Sequence, residues 1–161
     1  MNQETQKLSQ LINKETNLAK GLLDLMLSEK SYLEDGSVEK LNKITEQKAG
    51  YLDQLEITSR NRAQLLLALS RAPTTVERMN QYISKQPTVD REHLSVAVEK
   101  LEQSLEKCRH QNSVNGMVIS MSQRNVQRNL NIMKGADTES MTYTQKGQTT
   151  CVGKTFSGLK V

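Results

Sequence analysis

The chain has 161 residues, a net charge of +4 at pH 7 and 3% aromatic residues, with no Trp and one Phe. This length fits a single domain with one core. The scarcity of aromatic residues disfavours a β-sheet and favours helices that pack through aliphatic side chains. Acidic and basic residues alternate through most of the chain, which is typical of solvated helical faces rather than of a nucleic-acid-binding surface.

The cysteines and the N-terminus bear on the cellular compartment. Cys108 and Cys151 are far apart and form no CxxC pattern, so we expect no disulfide framework and assume a reducing compartment. Cys108 falls on an apolar stripe and is expected to act as a small hydrophobic residue. The N-terminus has no apolar signal core, and no window approaches the roughly 18 apolar residues of a membrane span. We therefore predict a soluble, cytoplasmic protein.

The first predicted helix runs from about Glu4 to Lys30 and carries a broad apolar stripe at helical spacing. It is expected to end at the sequence LEDGS, where Gly36 can take the left-handed conformation and Ser37 can cap the next helix. The stripe consists of Leu8, Leu11, Ile12, Leu18, Ala19, Leu22, Leu23, Met26 and Leu27.

The second predicted helix runs from about Val38 to Ala72, where Pro73 is expected to end it. Lys48 and Arg62 occupy the same heptad position as three leucines of this helix. The pattern predicts that their aliphatic stems cover the seam while their charges reach out to solvent. The stripe consists of Leu41, Ile44, Lys48, Tyr51, Leu52, Leu55, Arg62, Leu65, Leu66 and Leu69.

Two glycines lie inside these helices, where each costs about 1 kcal/mol relative to Ala. Folding the chain about Asp35–Gly36 places Gly21 opposite Gly50. We therefore predict that the two backbones approach closely at these positions.

A short helix and a third long helix follow. Thr74 and Glu77 have the spacing of a capping box, which predicts a short amphipathic helix over residues 75–85. The third long helix is predicted from about Asp90 to Lys134, with Gly135 as its C-cap. Its stripe consists of Leu94, Val98, Leu101, Leu105, Cys108, Ile119, Val126 and Met133.

Together these elements predict an all-α, coiled-coil-like antiparallel bundle of three long helices plus one short helix. After Gly135 the helical pattern stops, and Thr, Ser and Gly replace it. Such a composition cannot bury enough apolar surface to fold alone. We therefore expect a helical bundle domain over residues 1–135 and a flexible, partner-binding tail over residues 136–161.

The third predicted helix is the longest, at about 45 residues against about 35 for the second, a difference of about 15 Å. Its C-terminal part is therefore expected to lack neighbours that cover its apolar side chains, and an uncovered apolar face marks an interaction site. The alternative is that the short helix folds back and covers this part. The side chains concerned are Met117, Val118, Ile119, Met121, Val126, Leu130, Ile132 and Met133.

Polar and basic residues also set this part of the chain apart. Polar residues at seam-like positions predict a loosely packed stretch, which Gly116 loosens further. Residues 107–136 contain no Asp or Glu, so a basic strip there could meet an acidic partner or simply be a solvated face. The polar seam residues are Asn112, Asn115, Ser122 and Asn129, and the basic residues are Lys107, Arg109, Arg124, Arg128 and Lys134.

No arrangement of residues predicts catalysis, a metal or a cofactor. His93 and His110 belong to no HExxH-like grouping, and Glu106 with His110 is an ordinary pair on a helix surface. The sequence GKTFSG at 153–158 lacks the upstream Gly of a P-loop at the required spacing. We predict that the protein is not an enzyme.

Two stretches resemble the FlgN family of flagellar export chaperones: EQKAGYLDQLEITSRNRAQLLLAL, and LEKCRHQNSVNGMVISMSQRNVQRNLNIMKG followed by TYTQKGQ. The resemblance implies a coiled-coil-like helical bundle with a non-enzymatic role in flagellar type III secretion. It implies that the protein binds the hook–filament junction proteins FlgK and FlgL in the cytoplasm through their C-terminal helices, prevents their premature assembly and delivers them to the export apparatus. The residues that carry the resemblance are Lys48, Arg62, Asn112, Asn115, Gly116, Leu130, Gly135, Tyr143 and Gly147.

In this family the C-terminal part binds the client, which implies a client site over residues 117–147 that includes Met141, Tyr143 and Gly147. The resemblance further implies that Tyr143–Gly147 docks onto the export gate, and it implies nothing for Cys151–Val161. Two other classes stay open. One is a basic helical nucleic-acid-binding protein, and the other is a homo-oligomeric structural coiled coil, which the irregular heptads disfavour.

Overall fold

The computed structural model describes residues 2–134, and within that range the chain forms four helices and no strand. These are α1 (Gln3–Asp35), α2 (Val38–Leu69), α3 (Thr75–Ser84) and α4 (Thr88–Met133). The predicted all-α fold with three long helices and one short helix is confirmed. The predicted tail over residues 136–161 and the predicted cap at Gly135 lie outside the described residues.

Contacts within the chain divide it into two compact units, Met1–Val118 and Ile119–Val161, which we call the first unit and the second unit. The first unit contains α1, α2, α3 and the part of α4 that precedes residue 119. The described part of the second unit is residues 119–134, which are helical through Met133. All buried side chains in the described range belong to the first unit.

Helices α1 and α2 run antiparallel, as two ion pairs between them show. Glu15 of α1 pairs with Arg62 of α2, and Glu29, further along α1, pairs with Lys48, earlier in α2. Along the hairpin, residue numbers increase on α1 in the direction in which they decrease on α2. This confirms the predicted hairpin of the first two long helices.

Helix α4 runs parallel to α1 within the first unit. The Cys108 thiol donates to the carbonyl oxygen of Ala19 at 3.1 Å, and the Asn115 amide donates to the carbonyl oxygen of Met26 at 2.8 Å. Both pairs are separated by 89 residues in sequence, a constant offset that only parallel helices give. Successive long helices thus alternate in direction, as an antiparallel bundle requires.

The turn between α1 and α2 is set by Gly36. This residue is left-handed, with φ 69° and ψ 23°, and its N–H and that of Ser37 both donate to the carbonyl oxygen of Tyr32. The predicted glycine C-cap is therefore confirmed, although α1 continues to Asp35, beyond the predicted Lys30. Ser37 occupies the N-cap position of α2, but its side chain makes no capping hydrogen bond, so that part of the prediction is wrong.

Helix α2 ends at Leu69, before the predicted Ala72. Ser70 is extended, with φ −148° and ψ 141°, and its hydroxyl donates to the side-chain oxygen of Gln81 on α3. The Ala72 N–H donates in turn to the Ser70 hydroxyl oxygen at 3.4 Å. Hydrogen bonds from a serine side chain compete with helical ones, so Ser70 ends the helix before Pro73 can.

Helix α3 has the predicted capping box. The Thr74 hydroxyl accepts from the Glu77 N–H, and the Glu77 carboxylate accepts from the Thr74 N–H, both at 3.2 Å. Two N–H groups that a helix start leaves without partners are therefore satisfied locally.

The core of the first unit has two clusters, and α3 belongs to the cluster near the start of α1. The Tyr82 hydroxyl of α3 lies 2.9 Å from the Thr5 hydroxyl of α1, both buried. Helix α3 therefore packs within the first unit. Every residue over 119–134 is exposed, which does not fit the fold-back alternative. The first cluster comprises Leu8, Ile12, Leu66, Met79, Tyr82, Ile83, Leu94, Ala97 and Leu101, and the second Ala19, Leu22, Met26 and Cys108.

The predicted close approach of the two helical glycines is wrong. A side-chain Cβ at Gly21 would lie 2.9 Å from the Tyr51 hydroxyl oxygen, whereas a Cβ at Gly50 would meet nothing within 4 Å. Gly21 therefore makes room for the ring of Tyr51, and Gly50 faces open space.

Candidate partner-binding site

The second unit presents an exposed helix with many apolar side chains. All side chains over residues 119–134 are exposed, and the apolar ones range from 39% exposed at Ile119 to 83% at Met133. Exposed apolar side chains concentrated in this way are typical of an interaction surface. The apolar residues are Ile119, Met121, Val126, Leu130, Ile132 and Met133.

Two further predicted site residues, Met117 and Val118, are the last two residues of the first unit. Met117 is 63% exposed, and Val118 is half-buried. Met141, Tyr143 and Gly147, which complete the predicted set, lie outside the described residues.

The apolar residues of the second unit lie on two opposite sides of the helix. At about 100° per residue, four of them share one side, which we call the aliphatic face. The other two lie about 180° away with two arginines, on a side that we call the arginine face. The aliphatic face consists of Ile119, Val126, Leu130 and Met133, and the arginine face of Met121, Arg124, Arg128 and Ile132.

The charge of this helix is entirely positive. Arg124 and Arg128 are its ionisable residues, Lys134 follows it directly, and all three are exposed. The Arg124 guanidinium donates from Nε to the backbone carbonyl oxygen of Ser120 at 3.3 Å. Within residues 2–134 neither Arg124 nor Arg128 is in an ion pair with a carboxylate. Both guanidinium groups are thus available to an external anion.

The structure corrects the predicted orientation of Lys48 and Arg62. Their charges do not reach out to solvent, because each meets a largely buried glutamate of α1. The Arg62 Nε lies 2.7 Å from a Glu15 carboxylate oxygen, and the Lys48 Nζ lies 2.8 Å from one of Glu29. Glu15 and Glu29 are 14 residues apart, as are Lys48 and Arg62. This matched spacing on two helices of one hairpin is the sequence signal that could have revealed both pairs.

Asn115 completes a polar cluster that joins three helices. Its side-chain amide donates to the carbonyl oxygen of Met26 at 2.8 Å and to the Glu29 carboxylate at 2.7 Å, and its own oxygen accepts from Gln111 at 2.9 Å. Because Lys48 also donates to Glu29, α1, α2 and α4 meet at one carboxylate. The expectation of loose packing is therefore wrong at Asn115, which is buried. The other polar seam residues, Asn112, Ser122 and Asn129, are exposed.

Cys108 behaves as the sequence predicts, as a small buried side chain. Burial raises the pKa of its thiol above the ordinary value. A buried thiol of raised pKa is a poor nucleophile, so Cys108 is a packing residue.

The part of the chain that the structure describes contains no group of three His, Cys, Asp or Glu residues able to hold a metal ion. None of its helices is long and apolar enough to cross a membrane.

One of three comparisons with known proteins gave a match. The family model described as FlgN protein matches residues 1–150. Neither the curated proteins nor the solved structures gave a significant match. The described residues define an all-α protein with an exposed apolar helix. The chain belongs to the FlgN family and is a flagellar export chaperone, of a family that binds hook-associated proteins and has no enzymatic role.

Proposed function

We propose that this chaperone binds the hook–filament junction proteins FlgK and FlgL in the cytoplasm through their C-terminal helices. It prevents the premature assembly of these clients and delivers them to the export apparatus. The observation that carries the proposal is the exposed, apolar and acid-free helix over residues 119–133. Family membership supplies the class of client.

The aliphatic face suits an amphipathic client helix. Ile119, Val126 and Met133 recur every seven residues, and Leu130 lies between the last two. A partner helix recognises such a stripe with apolar residues at i, i+3, i+4 and i+7. Fully burying one aliphatic side chain contributes about 1.5–3 kcal/mol, and association itself costs about 4–15 kcal/mol. The gain from four such side chains is of the same order as this cost, so the aliphatic face alone gives at most weak, reversible binding and the rest of the proposed site must add to it.

The proposed client site extends over residues 117–147. Met117 and Val118 contribute from the end of the first unit, and Met141 and Tyr143 lie in the segment that follows α4 in sequence. Segments that become ordered on binding lose conformational entropy, which lowers affinity and eases release. Tyr143–Gly147 is the element that we propose to dock onto the export gate.

The proposal is tested in the full-length chain with Ile119, Val126 and Leu130 all replaced by Ser. The variant is expected to lose co-purification with FlgK and FlgL, with an affinity at least about tenfold lower, because three anchors lose most of their apolar area. Affinity is measured by isothermal titration calorimetry.

The control replaces Leu67, Val76 and Val89 by Ser; these are apolar residues of the first unit that are 56–77% exposed, against 39–55% for the three site residues. It should bind like the wild type. Circular dichroism should show unchanged helicity in both variants. A chain lacking residues 117–147 should also fail to bind. Undiminished client binding by that deletion or by the Ile119/Val126/Leu130 variant would refute the proposed site.

A further inference from the structure

The two faces of the second unit cannot be covered by one partner helix. A helix buries a stripe about 100° wide against its neighbour, whereas the aliphatic face and the arginine face lie about 180° apart around the helix. On the arginine face, Met121 is 58% exposed and Ile132 is 60% exposed. Each face therefore requires its own partner element.

The arginine face also offers two neighbouring positive charges to an external counter-charge. Arg124 and Arg128 are four residues apart, so their side chains are neighbours on the helix surface. The sequence offers them no carboxylate within residues 107–136. An isolated pair of like charges on one helix face is unfavourable, and an opposing acidic surface would relieve it.

We infer that the arginine face binds a second amphipathic helix, distinct from the one on the aliphatic face, which carries two carboxylates about one helical turn apart beside its apolar stripe. Met121 and Ile132 contact the stripe, and Arg124 and Arg128 pair with the carboxylates. The inference deepens the proposed function, on which it rests, because it predicts that the client supplies two helical segments and that one of them is acidic.

Other occupants fit the observations less well. A second copy of this helix would bring its own positive charges against Arg124 and Arg128. A lipid surface or a nucleic acid is typically bound by a larger set of basic residues than the three found here. The following segment of this chain, residues 136–161, has Asp137 and Glu139 as its acidic residues. These are two positions apart, so a helix would point them to opposite sides.

The test uses the full-length protein and two synthetic helical peptides with the same apolar stripe. One peptide carries Glu at two flanking positions four residues apart, and the other carries Lys at those positions. The Glu peptide is expected to bind about fivefold more tightly at low salt, since it forms two exposed ion pairs where the Lys peptide meets two like charges. This preference should shrink as ionic strength rises.

Three variants assign the preference to the arginine face. Replacing Arg124 and Arg128 by Glu should invert the preference. Replacing Met121 and Ile132 by Ser should weaken both peptides equally. The Ile119→Ser/Val126→Ser variant, altered only on the aliphatic face, should keep the preference for the Glu peptide. Equal binding of the two peptides by the wild type, or loss of the preference in the aliphatic-face variant, would overturn the inference.

Further measurements separate this inference from its alternatives. A chain that ends at Lys134 should keep the preference for the Glu peptide, and its loss would assign the face to the chain's own C-terminal segment. Binding of a single-stranded oligonucleotide or of anionic vesicles that excludes the Glu peptide would also overturn the inference. If the wild type prefers the Glu peptide but captures neither FlgK nor FlgL, the proposed function fails while the arginine-face assignment stands.

Discussion

Arg62 of α2 donates two hydrogen bonds to the Glu15 carboxylate of α1, from Nε at 2.7 Å and from Nη2 at 3.1 Å. The Glu15 side chain is 3% exposed and that of Arg62 is 16% exposed, so this bidentate pair lies inside the first unit. Two parallel N–H to oxygen bonds fix both distance and orientation. Together with Lys48 and Glu29, the pair fixes the register of the α1–α2 hairpin.

Removing one partner of this pair should destabilise the protein strongly. Arg62→Ala leaves the Glu15 carboxylate buried without a counter-charge, for which we expect a loss of about 3 kcal/mol in the free energy of unfolding. The measurement is urea denaturation followed by circular dichroism.

The control is the double variant Glu15→Leu/Arg62→Met, which replaces the pair by apolar side chains. Its free energy of unfolding should lie within about 1 kcal/mol of the wild-type value, because a buried ion pair and a packed apolar pair often contribute equally to stability. A loss below about 1 kcal/mol for Arg62→Ala would show that water reaches Glu15 freely and would contradict the prediction.

Asn115 should matter far more than its neighbour Asn112. Asn115→Ala removes the donors to the Met26 carbonyl and the Glu29 carboxylate, and it should lower the free energy of unfolding by about 1–3 kcal/mol. Asn112 is exposed, so Asn112→Ala should change stability by less than about 0.5 kcal/mol. Thermal unfolding of both variants checks the contrast, and similar losses at the two positions would count against the polar cluster.

The sequence predicts local structure correctly where the interacting residues are a few positions apart. The left-handed turn at Gly36 and the capping box of Thr74 and Glu77 depend on residues a few positions apart. The predicted end of α2 is wrong because the Ser70 hydroxyl donates to Gln81, eleven residues away on another helix. Propensity and proline rules hold no information about such a contact.

The same limit explains why the predicted orientation of Lys48 and Arg62 is wrong. The sequence alone shows that Lys48 is an unusual residue at an apolar stripe position. Where its charge goes depends on the α1–α2 register, which brings Glu29 opposite to it. The exposed apolar end of α4, in contrast, was predictable from helix length, because an apolar helix that exceeds its partner leaves side chains uncovered.

The two helical glycines should respond oppositely to a methyl group. Gly50→Ala adds a side chain in open space and should raise the free energy of unfolding by about 0.5–1 kcal/mol through helix propensity. Gly21→Ala forces the ring of Tyr51 to move, so we expect this variant to be at least about 1 kcal/mol less stable than Gly50→Ala. Chemical denaturation compares them, and equal effects would show that Tyr51 relocates without loss.

The buried thiol of Cys108 should make stability depend on alkaline pH. Because burial raises its pKa in the folded state, the folded chain keeps this proton at a pH where the unfolded chain has lost it. The protonated thiol therefore contributes its full stability below the pKa of about 8.5 that it has in the unfolded chain. This contribution declines as the pH rises from there through the pKa of the folded state. We expect the free energy of unfolding of a Cys151→Ser chain to fall above about pH 8.5, and the decline should be smaller in Cys108→Ala/Cys151→Ser.

In the same Cys151→Ser chain, the thiol should react with a disulfide reagent far more slowly when folded than in urea. Parallel pH profiles of the two chains, together with rapid labelling of the folded one, would place Cys108 at the surface and contradict the packing of α4 against Ala19.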